Sequence, residues 1–507
     1  MPHSGHHFRT AYPGLSIKSK THFRDQNVYG HHTSLNKPSS MKNRNCISAL
    51  SPIHLVPVEI LTLILQYAVD NPYNVFGLAN GPWVFGRVCS KWRAITEHES
   101  CCWANMAISC RVEEKGKGKL AMLQHALTHS KNQPLSFSFA CTPYNASGGM
   151  FFLALISNST RWTHVSLCIG STLISLLPLV HGKLPRLSYL KSRNTGAMYC
   201  QAIFAAFKDA PKLRVVHLDT QYAFHITLPF SNLVEFRHDR GRTPRCLLAA
   251  VTVRHYLDFI QHNTKLQSFY MITYSSDLIK NVLPLVHNSS LRELTASEPS
   301  LIRSLILPSL EVFNLHVCDP QYLQYADYGP HALQKLIKES QCSLVKLSVY
   351  GVRTNVIGST HFIDILRLSP SLQELSLEWK EWNTLVAEEM EYLVKSMSVM
   401  KHSLTAPSAV EVIPQLERLQ LCIDIPATVD PFVDAVANVR IDHAFVDMIC
   451  CRPRLSTKVS ARARGIPLTR RPFVIGDSEL DRLREMRRDG HDISIEVYEG
   501  NAVLDVL

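Results

Sequence analysis

Histidine and cysteine residues lie close together at two places in this sequence, with roughly the spacing of metal ligands. The two sets are His98 with Cys101 and Cys102, and His443 with Cys450 and Cys451. Adjacent cysteines fit poorly at two corners of a tetrahedral zinc site, and neither set has an evident fourth ligand. We therefore expect these side chains to pack in the protein interior, and we predict no metal site.

Motifs that identify many enzymes are absent from the sequence, including G-x-S-x-G, H-E-x-x-H and G-x-G-x-x-G. Residues 116–119 read Gly-Lys-Gly-Lys, but their spacing is not that of a phosphate-binding loop and no strand precedes them. A plain loop is predicted there. Acidic residues are scattered without a pairing that indicates acid–base catalysis. The chain is thus predicted not to be an enzyme and to bind no cofactor.

The net charge of +11 is concentrated in two short segments. Residues 1–50 hold seven lysines or arginines and one aspartate, and residues 452–471 hold seven basic residues and no acid. Because the rest of the chain is nearly neutral, we interpret the segments as a disordered, His-rich tail and a solvated basic loop. Nucleic-acid binding through these segments is the less favoured alternative.

Cysteine usage and hydropathy indicate the compartment. The chain has 14 cysteines, two adjacent pairs of them and no C-x-x-C, which favours reduced thiols over a disulfide framework. No run of 18 apolar residues exists, so no membrane span is predicted. We expect an intracellular protein of the cytoplasm or nucleus.

Two helical patterns lie between residues 55 and 106. A helix is predicted from Pro57 to Val69, because proline suits the first turn and Glu59 complements the helix dipole. Ile60, Leu61, Ile64 and Leu65 are interpreted as one apolar stripe of this helix. A second helix is predicted from about Trp83 to His98, and Trp103 follows it. These short helices cannot bury their apolar surface alone, so they pack on the next domain or bind a partner.

This segment, residues 51–110, resembles an F-box in the form common among fungal F-box proteins. The resemblance rests on a Pro-x-Glu-Ile-Leu start at Pro57, the V-C-S-K-W-R motif at residues 88–93, and Trp103. It implies docking onto a Skp-type adaptor, and through it onto a cullin. The residues expected to dock, or to support docking, are Pro57, Ile60, Leu61, Ile64, Val88 and Trp92. We expect Trp92 to be buried. An ordinary helical hairpin is the alternative interpretation.

A recurring unit follows the helical segment, in which a helix-like stretch precedes L-x-x-L-x-L or a close variant. Ten strand pieces of this kind begin at residues 162, 187, 213, 233, 266, 291, 310, 344, 372 and 416. The leucines alternate with period two and point inward from a short strand, so stacked units bury a continuous core. The pattern resembles an irregular leucine-rich repeat. The long interval after Leu372 is interpreted as an insertion at residues 380–410. A helix over 477–492 and a final strand are predicted to end the array.

The predicted fold class is therefore α/β: a helical N-terminal segment, then a solenoid of short parallel strands and helices over residues 120–507. Another α/β arrangement of parallel strands is the alternative. By resemblance, we expect a substrate-recruiting adaptor of a Skp–cullin–F-box ubiquitin ligase. A repeat scaffold without a ligase role and a nucleic-acid-associated protein remain alternatives.

The substrate, an unidentified protein, is predicted to bind the strand face of the solenoid. Residues between the last two leucines of each unit point away from the core and line up on this face. They are His217, Arg237, Tyr270, Thr295, Asn314, Ser348, Ser376 and Gln420. The set is polar and nearly uncharged, which favours recognition of a protein over binding of nucleic acid.

Overall fold

The computed structural model describes residues 53, 55–69, 72–110, 116–141, 146–194, 205–220, 232–239, 250–272, 283–317, 328–352, 360–380, 384–398, 412–425, 439–452, 454–463, 473–499 and 502–507. The chain divides into two compact units, Met1–Val56 and Pro57–Leu507. The second unit carries all the elements below. The predicted tail over residues 1–50 lies outside the described residues.

Short strands recur along the whole second unit. In chain order they are Tyr73–Asn74 (β1), Asn105–Cys110 (β2), Leu135–Cys141 (β3), Trp162–Ile169 (β4), Tyr189–Asn194 (β5), Val215–Thr220 (β6), Glu235–Asp239 (β7), Ser268–Ile272 (β8), Val286–His287 (β9), Glu293–Ala296 (β10), Leu305–Ile306 (β11), Val312–His316 (β12), Lys346–Val352 (β13), Glu374–Trp379 (β14), Arg418–Ile425 (β15), Val439–Ile441 (β16), Ser456–Ala463 (β17), Phe473–Ile475 (β18), Ile493–Glu499 (β19) and Ala502–Asp505 (β20).

Sixteen of these strands form one sheet whose spatial order follows the sequence from β1 to β20. Every neighbouring pair is parallel except β19 and β20, which are antiparallel. Two small parallel sheets, β9 with β11 and β16 with β18, lie outside this order. The predicted parallel alignment of the strands is confirmed, and the long sheet is compatible with a repeat solenoid.

Helices fill most of the crossovers. They are Val58–Ala68 (α1), Pro82–Phe85 (α2), Ser90–His98 (α3), Gly116–His129 (α4), Ala146–Ile156 (α5), Ser171–Ile174 (α6), Ala250–His262 (α7), Pro299–Arg303 (α8), Tyr328–Ser340 (α9), Thr360–Arg367 (α10), Thr384–Ser398 (α11), His443–Cys450 (α12) and Asp477–Arg488 (α13). Parallel crossovers are almost always right-handed, so in a sheet that follows chain order they all cover the same face. No helix in the described part of the chain combines the length and apolar character needed to cross a bilayer.

Burial alternates along many of the strands, for example β2, β3, β12 and β14. In β3, Leu135, Phe137 and Phe139 are buried, whereas Ser136 and Ser138 are half-buried. The buried residues face the helices and form a continuous core of stacked rings, for example Phe236 against Phe269 with centroids 5.7 Å apart. The opposite side of the sheet, which we call the strand face, carries the polar residues; the helices in the described part of the chain cover the other side.

Three sequence interpretations are corrected by the structure. Residues 116–119 form the first turn of α4 instead of a loop, so the helix begins earlier than predicted. Residues 456–463 of the predicted basic loop form β17, whose Val459 and Ala461 are buried while Arg462 is exposed. The interval assigned to an insertion contains α11, which occupies the ordinary position of a helix between β14 and β15.

Candidate interaction surfaces

Helix α1 has a buried side and an exposed apolar side. Leu61 and Leu65 are buried, because residues four apart share one face of a helix. The opposite side presents four apolar residues to solvent, each 46–75% exposed: Ile60, Leu63, Ile64 and Tyr67. Val58, in the first turn, is 49% exposed although it lies on the side of Leu61 and Leu65. The predicted stripe of Ile60, Leu61, Ile64 and Leu65 therefore spans two faces of the helix, and only half of it is available to a partner.

The second predicted helix is interrupted. Helix α2 ends at Phe85, and Cys89 adopts an extended conformation (φ −161°, ψ 173°) that starts α3 as its N-cap. The Sγ atom of Cys89 accepts a hydrogen bond from the backbone N–H of Trp92 at 3.5 Å. The break turns Val88 outward, where it is 55% exposed. Trp92 is half-buried and lies 6.0 Å from the Phe85 ring.

The tryptophan that anchors these helices is Trp103, which is 2% exposed. Its indole N–H donates to the carbonyl oxygen of Thr96 at 2.8 Å. Its ring contacts the rings of Trp83 and Tyr73 edge-on, with centroids 5.0 and 6.4 Å away. Strand β1, which includes Tyr73, pairs with β2, so this aromatic cluster joins the helices to the first strands of the sheet.

The six residues expected at an adaptor interface divide into three groups. Pro57, Ile60, Ile64 and Val88 are exposed, as docking requires. Leu61 is fully buried, so it cannot face a partner, and its expected role is corrected. Trp92 is half-buried, so the expectation that it is a core residue is also corrected; Trp103 has that role.

The eight residues predicted on the strand face form one row across eight adjacent strands. Each is the direct register partner of the next: His217, Arg237, Tyr270, Thr295, Asn314, Ser348, Ser376 and Gln420. Arg237 and Gln420 are exposed, and four others are half-buried. Thr295 and Ser348 are only 4% and 1% exposed, which corrects their assignment as solvent-facing. Both side chains are short, and the Asn314 amide donates to the Thr295 hydroxyl at 3.0 Å.

A second row, two residues further along each strand, was missed by the sequence reasoning. There His316 stacks on Tyr350, with ring centroids 4.5 Å apart and planes 22° apart. The rings of His316 and Tyr270 meet edge to face, with centroids 6.5 Å apart. The guanidinium of Arg237 lies 4.0 Å from the centre of the Tyr270 ring. Side chains two residues apart share a face, so the period-two pattern contained the signal for these positions.

The surroundings of His316 disfavour its charged form. The pKa of His316 is lowered to about 4, mainly by burial and also by the charges of Lys380 and Arg237, which the carboxylate of Asp239 partly opposes. Lys380 lies over Gly351, so that a Cβ atom on Gly351 would be 3.1 Å from its Nζ. Gly351 has φ of +74°, a conformation that glycine adopts without strain.

Three side chains on strands β5, β6 and β7, those of Tyr189, His217 and Glu235, are joined by hydrogen bonds. The ring of His217 bonds to the Tyr189 hydroxyl through Nδ1 at 3.2 Å and to the Glu235 carboxylate through Nε2 at 2.7 Å. Burial raises the pKa of Tyr189, and the charge of Glu235 raises it further. His164 stacks on the other side of Tyr189, with centroids 6.0 Å apart. Aromatic and histidine rings thus continue along the strand face from β4 to β13.

The expectation that the two His/Cys sets pack in the interior is confirmed for Cys102 alone. It is wrong for four exposed residues: His98, His443, Cys450 and Cys451. His98 bonds through Nδ1 to the carbonyl oxygen of Ala94 at 2.8 Å. Burial and the neighbouring Cys101 raise the pKa of the Cys102 thiol to about 12. Among the described residues, no group of three or more histidine, cysteine or acidic side chains could hold a metal ion.

Comparison with known proteins gives little guidance. No protein-family model matches the chain. No curated protein shows significant similarity to it either. Among solved structures, a crystal structure of a Bacteroides fragilis protein from a structural genomics consortium matches with 11% identity, covering 67% of this chain and 68% of that chain. The TM-score of 0.25 is too low to establish a shared fold.

Proposed function

We propose that this chain is a substrate-recruiting adaptor of a Skp–cullin–F-box ubiquitin ligase, with residues 57–103 acting as an F-box. The observation that carries the proposal is the exposed apolar side of α1. Four apolar residues on one side of an eleven-residue helix, Ile60, Leu63, Ile64 and Tyr67, are exposed, and contiguous apolar patches of this kind mark sites where a protein meets a partner. Val88, 55% exposed, adds a further apolar side chain from outside α1.

The sequence resemblance and this patch support the same function independently. The Pro-x-Glu-Ile-Leu start and the V-C-S-K-W-R motif come from residue identities alone. Exposure comes from the packing of α1, which sends Leu61 and Leu65 inward and leaves Ile60 and Ile64 outside. An F-box that docks a Skp-type adaptor needs both a self-supporting core and an apolar outer surface.

The long sheet supplies the second half of the proposed function. An irregular leucine-rich repeat array would present its strand face to the substrate, because repeat proteins bind partners on such extended surfaces. Catalysis in these ligases belongs to other subunits, so this chain has only to bind. A leucine-rich repeat scaffold without a ligase role is the alternative. Binding of a Skp-type adaptor is expected of the ligase subunit and not of the scaffold.

Changing the exposed side of α1 tests the proposal. We expect the double variant Ile60→Asp/Ile64→Asp to lose co-purification with a recombinant Skp-type adaptor, because two charges would enter an apolar interface. The two side chains are 47% and 46% exposed, so the fold should be unaffected. Leu61 is unsuitable for this test, since an aspartate there would enter the core.

The chain offers a matched control on another helix. Met150 and Leu153 of α5 are 41% and 45% exposed, so Met150→Asp/Leu153→Asp makes the same chemical change elsewhere. Adaptor binding should survive in the control, and both variants should keep the parent melting temperature. If the parent chain fails to bind the adaptor, or the α1 variant binds as well as the control, the F-box assignment is wrong.

A further inference from the structure

Five side chains meet at the carboxyl ends of the central strands and form what we call the basic–aromatic cluster: Arg237, Tyr270, His316, Tyr350 and Lys380. The Arg237 guanidinium stacks on Tyr270, 4.0 Å from the ring centre. His316 contacts Tyr270 on one side and stacks on Tyr350 on the other. The ammonium of Lys380 lies over the adjoining Gly351.

Most other cations on the strand face lie directly against a carboxylate. Arg193 is 3.1 Å from Asp219, Lys346 is 3.1 Å from Glu374, and Lys458 is 2.9 Å from Glu496; Arg418 also pairs with Glu374. These charges neutralise one another in the free protein and leave little attraction for a ligand.

The basic–aromatic cluster is different because its donors exceed its acceptors. Arg237 is 3.8 Å from Asp239, beyond hydrogen-bonding distance, and within the described part of the chain no residue accepts a hydrogen bond from its five donors. Among the residues that the structure describes, no carboxylate lies within ion-pairing distance of Lys380. Asp239 and Glu378, the register partner of Tyr350, place carboxylates on this face, but neither is at hydrogen-bonding distance from Arg237 or Lys380. Both cations can therefore bind the carboxylate of a ligand.

We propose that the basic–aromatic cluster binds a glutamate or aspartate side chain in an acidic peptide segment of the recruited protein. Arginine presents a planar fork that matches a carboxylate in two parallel hydrogen bonds, and stacking on Tyr270 fixes the plane of that fork in advance. Lys380 supplies the second charge. The rings of His316 and Tyr350 provide an apolar floor for the adjoining peptide, as tyrosine does at protein interfaces.

A peptide suits this place better than a small anion. Arg237 is exposed and Lys380 is half-buried, so a small anion bound to them would keep part of its water. A peptide can extend over several strands, and Asn314, Ser376 and Gln420 of the polar row offer hydrogen-bonding groups next to the cluster. The inference rests on the proposed function for the existence of a recruited protein, and it adds the chemistry of the segment recognised.

Matched synthetic peptides test this inference on the purified full-length chain. An array carries each sequence in three versions, with glutamate, glutamine or phosphoserine at the same position. We expect a subset of sequences to bind about tenfold more tightly as glutamate than as glutamine, the difference that a hydrogen bond to a charged group produces. The preference should weaken as salt is raised, because the site is partly exposed.

Substitutions on the strand face test whether the basic–aromatic cluster is the site that binds the glutamate. Arg237→Gln/Lys380→Gln should remove the preference for glutamate, whereas Arg418→Gln/Lys458→Gln, which changes two cations paired with carboxylates, should keep it. The melting temperature of each variant shows that the fold is intact. No glutamate preference in the parent, equal losses in the two variants, or binding of the phosphoserine versions alone would each overturn the inference.

This experiment is separate from adaptor binding. A chain that captures the Skp-type adaptor but shows no preference for glutamate peptides contradicts only the assignment of the basic–aromatic cluster. A chain that prefers glutamate peptides at this cluster but does not bind the adaptor contradicts the ligase function and leaves the peptide site in place.

Discussion

Replacing His316 by phenylalanine should make the stability of the protein less sensitive to acid. Burial is the main reason that the pKa of His316 is about 4 in the folded chain against 6.5 for an unperturbed histidine. Between these two values the unfolded chain binds a proton that the folded chain does not, so the folded state loses stability as the pH falls. Above about pH 6.5 the histidine is neutral in both states and imposes no penalty.

The magnitude follows from the size of the shift. A difference from 6.5 to about 4 corresponds to a loss of about 3 kcal/mol once the pH is below the folded-state pKa. We treat this as an upper limit, since His316 retains some exposure to water. Phenylalanine keeps an aromatic ring against Tyr350 and removes the titrating group. Charged groups that face this position, namely Arg237, Asp239 and Lys380, remain in both proteins.

Urea unfolding followed by circular dichroism at several pH values between 7.5 and 3.5 measures the effect. The variant and the parent should have diverging stabilities as the pH falls from about 6.5, with the variant relatively more stable in acid. Because other titrating groups are common to both proteins, their contributions largely cancel in the difference. Parallel curves for the two proteins would show that His316 is not buried against cations, and the geometry described for the basic–aromatic cluster would be wrong.

Two further predictions concern packing. Trp103→Ala should lower the free energy of unfolding by about 3–5 kcal/mol, the range for a large buried aromatic residue. Trp92→Ala should lower it clearly less, because Trp92 is only half-buried. Equal losses in thermal or urea unfolding would contradict the assignment of Trp103 as the anchor. Gly351→Ala should destabilise by about 1–2 kcal/mol, because φ is +74° and the added Cβ would lie 3.2 Å from the Val317 carbonyl oxygen. Gly118→Ala is the matched control, since the helical Gly118 has open space around it and alanine there should stabilise slightly; a loss at Gly118 as large as that at Gly351 would refute this reasoning.

The period-two pattern of leucines was enough to predict which strand residues share a face. All eight residues selected between the leucines lie in one register row, because a parallel sheet in chain order has no freedom to shift one strand without turning its leucines outward. The same rule would have predicted β17, where Thr457, Val459 and Ala461 alternate with Lys458 and Arg462. The basic composition concealed that alternation, since charged side chains on the open face were taken for a solvated loop.

How deeply each residue of a face is buried could not be predicted from the alternation of apolar and polar residues. Thr295 and Ser348 occupy the same row as Arg237, yet they are only 4% and 1% exposed. In α1, apolar residues occur on both sides of the helix, so the sequence alone does not show that Leu61 is inside and Ile60 outside. The basic–aromatic cluster combines residues from strands far apart in the sequence, and the stacking of their rings depends on the register of the whole sheet.

The antiparallel turn at the end of the sheet has a consequence for self-association. A parallel array of strands exposes unpaired backbone groups at its two outermost members, and these edges can recruit strands from other molecules. Here the first edge is β1, only two residues long, and the last is β20, a four-residue strand folded back on β19 and tied to α13 by the Arg487–Asp505 ion pair at 2.8 Å. Short edge strands offer few sites for intermolecular pairing. Strand β20 thereby protects the seven-residue β19 from acting as a template for aggregation.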